Sequence, residues 1–465
     1  MKLLPGEKEW AQVEKRPCPY GLPGEEGEAV GKGKEVRLVS LEKVHPLRVA
    51  PLCPHFGLCG GCNGQHVALS WQREWKEEQV KKFLAREGLD PQVVRPLRAG
   101  SPPWEYRSKM EFTFSPEGRL GLHERGRFDS LLPLSDCSIA HPFLAQAMKV
   151  TGAWARDWSL SGYDKRTHRG LLRHLRVRWS ASEEKVLAAI SATEQAGFPA
   201  GSLADWVHRL RGALPLAGAL LLVQKGMADA LQEESSELLW GRDYLVEEVE
   251  GIRFRLQHGT FFQVNREAVA LLWQRVKGFL SPSPGMKVLD LYAGTGAFTL
   301  LLAKEGAEAV GVEIYPPSVE KARENATENG LSARFVAGDV RRTLTHAKEI
   351  REVSWDAVLL DPPRSGAGRR VMAKVASLEP ATVVYVSCQP ETFAQDGALL
   401  ARQGYQLLEV EPLDLFPHTP HVELVSWWQR QEKVRPLKES YGDFSLPLQP
   451  GWGKDPRGRL SLHPG

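Results

Sequence analysis

From Lys287 onward, short apolar runs alternate with amphipathic stretches, and each run stops on or beside an acid or a thiol. Val288-Leu289-Asp290-Leu291-Tyr292, Ala309-Val310-Gly311-Val312-Glu313, Phe335-Val336-Ala337-Gly338-Asp339, residues 356–361 and residues 382–387 read as five strands with helical stretches between them. This alternation commits a chain to an open, doubly wound sheet, because parallel neighbours need a crossover helix. Residues 407–410 and 423–427 are expected to close the sheet. In such sheets ligands bind outside the carboxyl ends of the strands. Those ends carry Asp290, Glu313, Asp339, Asp361 and the thiol of Cys388, while Glu423 opens the last strand. Singly, each residue reads equally well as a cap, a solvated turn or a small core Cys. Five acids and one thiol at successive strand ends form a constellation.

The turn after the first strand is Ala293-Gly294-Thr295-Gly296-Ala297-Phe298. Its glycines let the backbone approach a ligand, but two are too few for the dinucleotide fingerprint, and no phosphate-loop lysine follows. Glu313 ends the second strand, where an acid can accept bonds from ribose hydroxyls.

A chain of 465 residues with 42% hydrophobic content can bury more than one core. Residues 1–50 read as a small β-module or an arm, residues 51–255 as a central β-rich α+β domain, residues 256–430 as the α/β domain, and residues 431–465 as a disordered or surface-draped extension. In the central domain Cys53, Cys59 and Cys62 fall in a glycine-containing loop, and Cys137 is the natural fourth partner. Clustered thiols in a chain of this size point to a metal centre rather than disulfides, either structural zinc or an iron–sulfur cluster. A helix capped by Ser70 follows. Residues 107–178 are dense in basic side chains, and His174, Arg176 and Arg178 alternate with apolar residues. That spacing predicts a basic row on one sheet face, able to track phosphates or simply to face solvent. Asn265 is expected to cap a helix from Arg266 to Leu280. The net charge of +3 selects no partner. With no run of about twenty apolar residues and no leader, a cytoplasmic protein without membrane contact is expected, and no obligate protein partner is evident.

The turn at residues 290–298, Glu313 and Asp361-Pro362-Pro363 resemble S-adenosyl-L-methionine-dependent methyltransferases. Ser387-Cys388-x-Pro390, Pro417-x-Thr419-x-His421-x-Glu423 and Phe262-Gln263-Val264-Asn265 narrow the resemblance to the RNA 5-methyluridine (uracil-C5) methyltransferases. The four Cys at 53, 59, 62 and 137 resemble the branch that carries a 4Fe–4S cluster and methylates uridine in 23S ribosomal RNA; the tRNA-modifying branch generally lacks them. The resemblance implies a Rossmann-like class I methyltransferase domain at the C-terminal end and a cluster-bearing domain before it. It implies Cys388 as nucleophile and Glu423 as base. Gln263, Asp290, Tyr292, Gly294, Glu313 and Asp339 would hold the cofactor, with Asp361 where cofactor and uracil meet. The sequence departs from the family pattern in a shortened N-terminal RNA-binding (TRAM-like) module, at Ala293 and Ala297 in the turn, at Gln389 and at Ser108. None of these removes a reacting group. Three alternatives stand beside this reading: a tRNA 5-methyluridine enzyme, an RNA cytosine-C5 methyltransferase, and a non-catalytic iron–sulfur RNA-binding protein. The cytosine enzymes usually place Cys after Asp-Pro-Pro, where this chain has Arg364.

Overall fold

The computed structural model describes residues 1–6, 10–31, 36–100, 102–194, 196–224, 226, 235–431, 452–454 and 460–462. Eight strands form the sheet that carries the strand-end acids, in the spatial order Arg334–Ala337, Glu308–Glu313, Lys287–Leu291, Ala357–Leu360, Thr382–Ser387, Glu423–Arg430, Tyr405–Asp414 and Arg98–Ala99. The first five run parallel and Glu423–Arg430 runs antiparallel between its neighbours. The strand order reverses between Lys287–Leu291 and Ala357–Leu360, and a crevice opens at such a point because successive crossovers leave in opposite directions.

Helices cover both faces, which is why the central strands are apolar throughout rather than alternating. On one face the helices Arg266–Leu280, Ala297–Lys304 and Pro316–Glu328 contribute Trp273, Val276, Leu300, Leu302 and Val319 to a single core. The hairpin Tyr244–Val249/Ile252–Gln257 joins that core through Val249, Ile252, Phe254 and Leu256, so the packing begins ahead of residue 256. On the other face the helices Val340–His346, Gly368–Ser377 and Pro390–Arg402 are joined by Leu69–Arg86, whose Val80, Phe83 and Leu84 pack in the same core. A helix from the first hundred residues is thus a layer of the later sheet. Its N-cap is Ala68; Ser70, expected to cap it, lies inside the first turn.

A second sheet of seven strands has the order Ser235–Gly241, Leu216–Val223, Lys185–Ala192, Leu172–Ser180, Lys109–Phe114, Leu120–Glu124 and Arg127–Pro133. Helices Pro142–Asp157 and Ser202–Ala213 close one face with Trp154 and Trp206. On the other face the basic row is not solvated. His174, Arg176 and Arg178 are 6%, 7% and 3% exposed. Arg176 pairs with Glu111 at 3.0 Å and meets His258 at 3.1 Å, and Arg178 donates to the Thr260 carbonyl. Arg176 and Arg178 are spent on holding residues 258–260 and His174 meets Thr113 at 3.2 Å, a packing role that periodicity cannot distinguish from a wet face.

The first fifty residues build a three-stranded patch (Leu4–Pro5, Ala11–Val13, Arg16–Pro17) and a hairpin (Glu26–Val30/Arg37–Lys43) around Leu3, Val13, Cys18 and Val36. Residues 1–430 form one compact unit. Of the unit after it, the described residues are Gln431 and an antiparallel pair, Trp452–Lys454 with Leu460–Leu462; the rest of the extension expected there lies outside the described residues. Among the described residues no helix is long and apolar enough to cross a membrane.

Candidate active site

Strand register brings the thiol and the last acid together. Ser387 lies opposite Leu424, so Cys388, one residue on, and Glu423, one residue back, emerge side by side at the same sheet end. Leu360 pairs with Tyr385 in the neighbouring parallel strand, and Asp361 follows it to the same edge. Cys388 sits just before the helix Pro390–Arg402, with Gln389 as N-cap and Pro390 in the first turn. Helix N-termini favour anions, including thiolates. Glu423 is 2% exposed.

The electrostatics follow from burial. Cys388 is pushed up to about 11, first by desolvation and then by the charges of Glu423 and Asp361, against the pull of Arg364, which hydrogen-bonds the thiol. Desolvation raises Glu423 well above the carboxylate range, with Asp361 adding to it and Arg364 opposing it. Asp361 is pushed up to about 7 by desolvation. His421 is lowered to about 4 by burial and by the cations around it, so it is neutral at ordinary pH.

Arg364 was legible only as the residue after Asp-Pro-Pro, yet it is the cation that faces Cys388 and Glu423. Its loop is tied down: Thr392 donates to the Arg364 carbonyl at 3.1 Å, and Asp396 accepts from the Ala367 and Gly368 amides and from the Tyr385 hydroxyl. Gly366 (φ 77°) is required here, since a side chain would meet the Asp396 carboxylate at 2.7 Å.

The remaining strand-end residues lie around the turn after Leu291. Tyr292 has φ 68°, an unusual conformation for a bulky residue and one that clusters at ligand sites. The Glu313 carboxylate accepts from the Gly294 amide at 3.0 Å and the Tyr315 amide at 2.8 Å, which fixes it at the crevice. Asp339 caps the helix Val340–His346 by accepting from the Arg342 amide. Asp290 is wholly enclosed beneath the turn; Thr299 donates to one oxygen at 2.5 Å and the other has no partner. Desolvation drives its pKa to about 7. A cleft of about 400 Å³ is lined by Tyr292, Ile314, Asp339, Arg341, Arg369 and Arg370 among others. Gln263 is half-buried in the segment that Ser108 holds through the Val264 carbonyl, and Asn265, at the N-cap of Arg266–Leu280, spends its amide on the Leu415 carbonyl rather than on its own helix.

Cys53, Cys59, Cys62 and Cys137 line one cavity together with Gln65, Arg107 and Met110. The Cys53 amide donates to Gln65, and the Gly61 amide to the Cys59 sulfur at 3.4 Å. Among the described residues, no three His, Cys, Asp or Glu side chains converge as a site for a single metal ion.

A largely parallel sheet with this order, an acid-rimmed crevice at the reversal and a glycine turn after its first strand give the fold of the class I S-adenosylmethionine-dependent methyltransferases. Residues 232–431 match the family described as tRNA (Uracil-5-)-methyltransferase. An uncharacterized RNA methyltransferase of Caldanaerobacter subterraneus subsp. tengcongensis is 36% identical over 405 residues, 85% of this chain and 89% of the relative. One of Thermosynechococcus vestitus is 33% identical over 399 residues, 83% of this chain and 86% of its own. The crystal structure of Pyrococcus abyssi tRNA (uracil-54, C5)-methyltransferase in complex with S-adenosyl-L-homocysteine shares the fold, with a TM-score of 0.74 at 24% identity over 92% of this chain and 99% of that one. The chain belongs to the RNA uracil-5-methyltransferase family.

Proposed function

We propose that this protein methylates C5 of uridine in 23S ribosomal RNA, with Cys388 as nucleophile and Glu423 as base. The observation that carries the reaction is the register of Ser387 on Leu424, which sets a thiol beside a buried carboxyl with a cation, Arg364, facing both. The Cys388 thiolate adds to uracil C6, and the ring becomes an enolate with carbanion character at C5. S-adenosylmethionine, when bound, supplies an electrophilic methyl on a cationic sulfonium. Arg364 stabilises the thiolate before addition and the ring's negative charge after it. Once C5 carries the methyl, the carboxylate form of Glu423, which burial makes the stronger base, takes the C5 proton, the C5–C6 double bond re-forms and the sulfur leaves as thiolate. Asp361, at the same edge, accepts from uracil N3–H and so prefers uracil to cytosine. The target base must leave its stack to reach this crevice, which suits loops rather than duplex.

For the cofactor, Tyr292 and Asp339 line the cleft, Glu313 is oriented by two amides and keeps lone pairs for ribose hydroxyls, and Gly294 has open space where a side chain would stand. By its motif position Gln263 would complete the cofactor site, and Asp290, bonded to Thr299, supports the turn from below. The ribosomal branch rests on the four thiols around one cavity. Four thiols lining one cavity are the ligand type and number that such a cluster takes, so Cys53, Cys59, Cys62 and Cys137 would hold a 4Fe–4S cluster.

The test is methyl transfer from labelled S-adenosylmethionine to 23S RNA and to bulk tRNA, mapped by nucleoside mass spectrometry, with Cys388→Ala alongside. Label in ribosomal 5-methyluridine alone, lost in the variant, is expected. Label in tRNA would keep the chemistry and replace the substrate; label in 5-methylcytidine, or label surviving without Cys388, would overturn the mechanism.

A further inference from the structure

The loop between Asp414 and Glu423, which delivers the base, is held almost entirely by residues from the first 110 positions. Lys76, fully buried, pairs with Asp414 at 2.6 Å and donates to the Phe416 carbonyl at 3.1 Å. The Tyr106 hydroxyl donates to the Pro417 carbonyl. His418 is the most heavily engaged. Its carbonyl accepts from the Asn63 and Gly64 amides at 3.1 and 2.9 Å, and its ring stacks on Trp104 at 3.9 Å. Its amide donates to Gln72 Oε1 at 2.9 Å, while Gln72 Nε2 donates to the Gly64 and Val67 carbonyls at 2.9 Å each. His418 takes φ 64°, a conformation that costs energy unless its surroundings impose it. Gly64 is needed for the approach: a side chain there would meet the His418 backbone at 3.0 Å and the Trp10 ring at 2.9 Å.

We propose that Gln72 is a positioning residue for Glu423. It bolts the catalytic loop to the turn that immediately follows Cys62, so the step after methyl transfer depends on a side chain from the thiol-bearing half of the protein. Cys388 is delivered by Thr382–Ser387 and the helix after it, whereas the hydrogen bonds of Gln72 go to Gly64, Val67 and His418. Loosening the Gln72 bonds therefore acts on the loop that leads into Glu423, while the ladder from Ser387 to Leu424 keeps the nucleophile in place. A side chain must be held within about half an ångström to keep its catalytic geometry, and packing alone rarely does this for a loop. The inference rests on the reading of Cys388 and Glu423 given above.

RNA carrying 5-fluorouridine separates the two deliveries. Its C5 substituent cannot be removed as a cation, so the adduct forms through Cys388, accepts the methyl and stays attached without using the base. Gln72→Ala is expected to form this adduct within about twofold of the wild-type rate. On uridine RNA the same variant should turn over about tenfold more slowly, with unchanged KM, and build up a denaturation-resistant protein–RNA adduct. If adduct formation falls in step with turnover, or if turnover is unaffected, the proposal is overturned. Gln72→Glu, which keeps the acceptor for the His418 amide and loses the donor to Gly64, Val67 and the His418 ring, carries the test should Gln72→Ala fail to fold by thermal melting. If the wild type itself forms no adduct with 5-fluorouridine RNA, the reading of Cys388 fails, and this proposal with it.

Discussion

Cys388 and Glu423 are neighbours because Ser387 pairs with Leu424 in an antiparallel step inserted into a parallel sheet. Without that reversal the strand beginning at Glu423 would start at the opposite end of the sheet, far from every other strand-end acid. One consequence concerns the base. Glu423→Gln should leave adduct formation on 5-fluorouridine RNA intact and reduce turnover on uridine RNA by a factor of about 10²–10⁴, the usual contribution of a general base. Gel mobility of the RNA-bound protein after denaturation reads this directly.

Arg364 opposes the burial that keeps Cys388 protonated, with the thiol standing near 11. Below that value the thiolate fraction rises tenfold per pH unit, so adduct formation should climb with pH through the neutral range. Removing the cation in Arg364→Ala raises the thiol further and should slow adduct formation about tenfold at fixed pH, with the same slope. Arg364→Lys should recover part of the rate. A pH–rate profile that is flat, or identical in the two variants, would contradict this role.

Asp290 is held near 7 by desolvation, above its ordinary 3.8. Its folded-state proton is bound more tightly than its unfolded-state one, so stability is greatest below about 4 and declines as pH rises towards 7. Asp290→Asn removes that penalty. Its melting temperature should match the wild type near pH 4 and exceed it by an increment growing to pH 7–8, equivalent to roughly 1–3 kcal/mol.

The Lys76–Asp414 pair is fully buried on both sides. Lys76→Ala leaves the buried Asp414 carboxylate with Arg73 alone, at 3.3 Å, and should cost about 3 kcal/mol in chemical denaturation, whereas Lys76→Met with Asp414→Leu should come much closer to neutral. The double variant should still lose activity, since it also gives up the bond to the Phe416 carbonyl.

Replacing any one of Cys53, Cys59, Cys62 or Cys137 by Ser should abolish bound iron and sulfide in anaerobically purified protein and lower its melting temperature. Cys18→Ser should keep both, because Cys18 is packed with Leu3 and Val13 in the N-terminal β layer and lies outside the four-thiol cavity. Iron retained in all four single variants would remove the basis for the cluster.

The α/β alternation, the helix Arg266–Leu280 and the strand-end acids could be read from the chain because they are local. A period of two or 3.6 residues and a glycine turn are dictated by neighbours within a few positions. The thiols at 53, 59 and 62 were legible for the same reason. What local pattern could not give was the destination of each face. The alternation at His174, Arg176 and Arg178 was correct, but whether a basic face meets water or a buried segment depends on residues 258–260, some eighty positions away. Ser70 has the composition of a cap, yet the helix begins earlier because Leu69–Arg86 packs on the later sheet. Gln72 and His418 are 346 positions apart, and Lys76 and Asp414 are 338. The sequence by itself determined the class of sheet and which acids and thiol stand at its edge. Only the tertiary structure decided which of those groups meet and what holds them, because a contact between distant segments is selected by packing complementarity and leaves no periodic trace in either one.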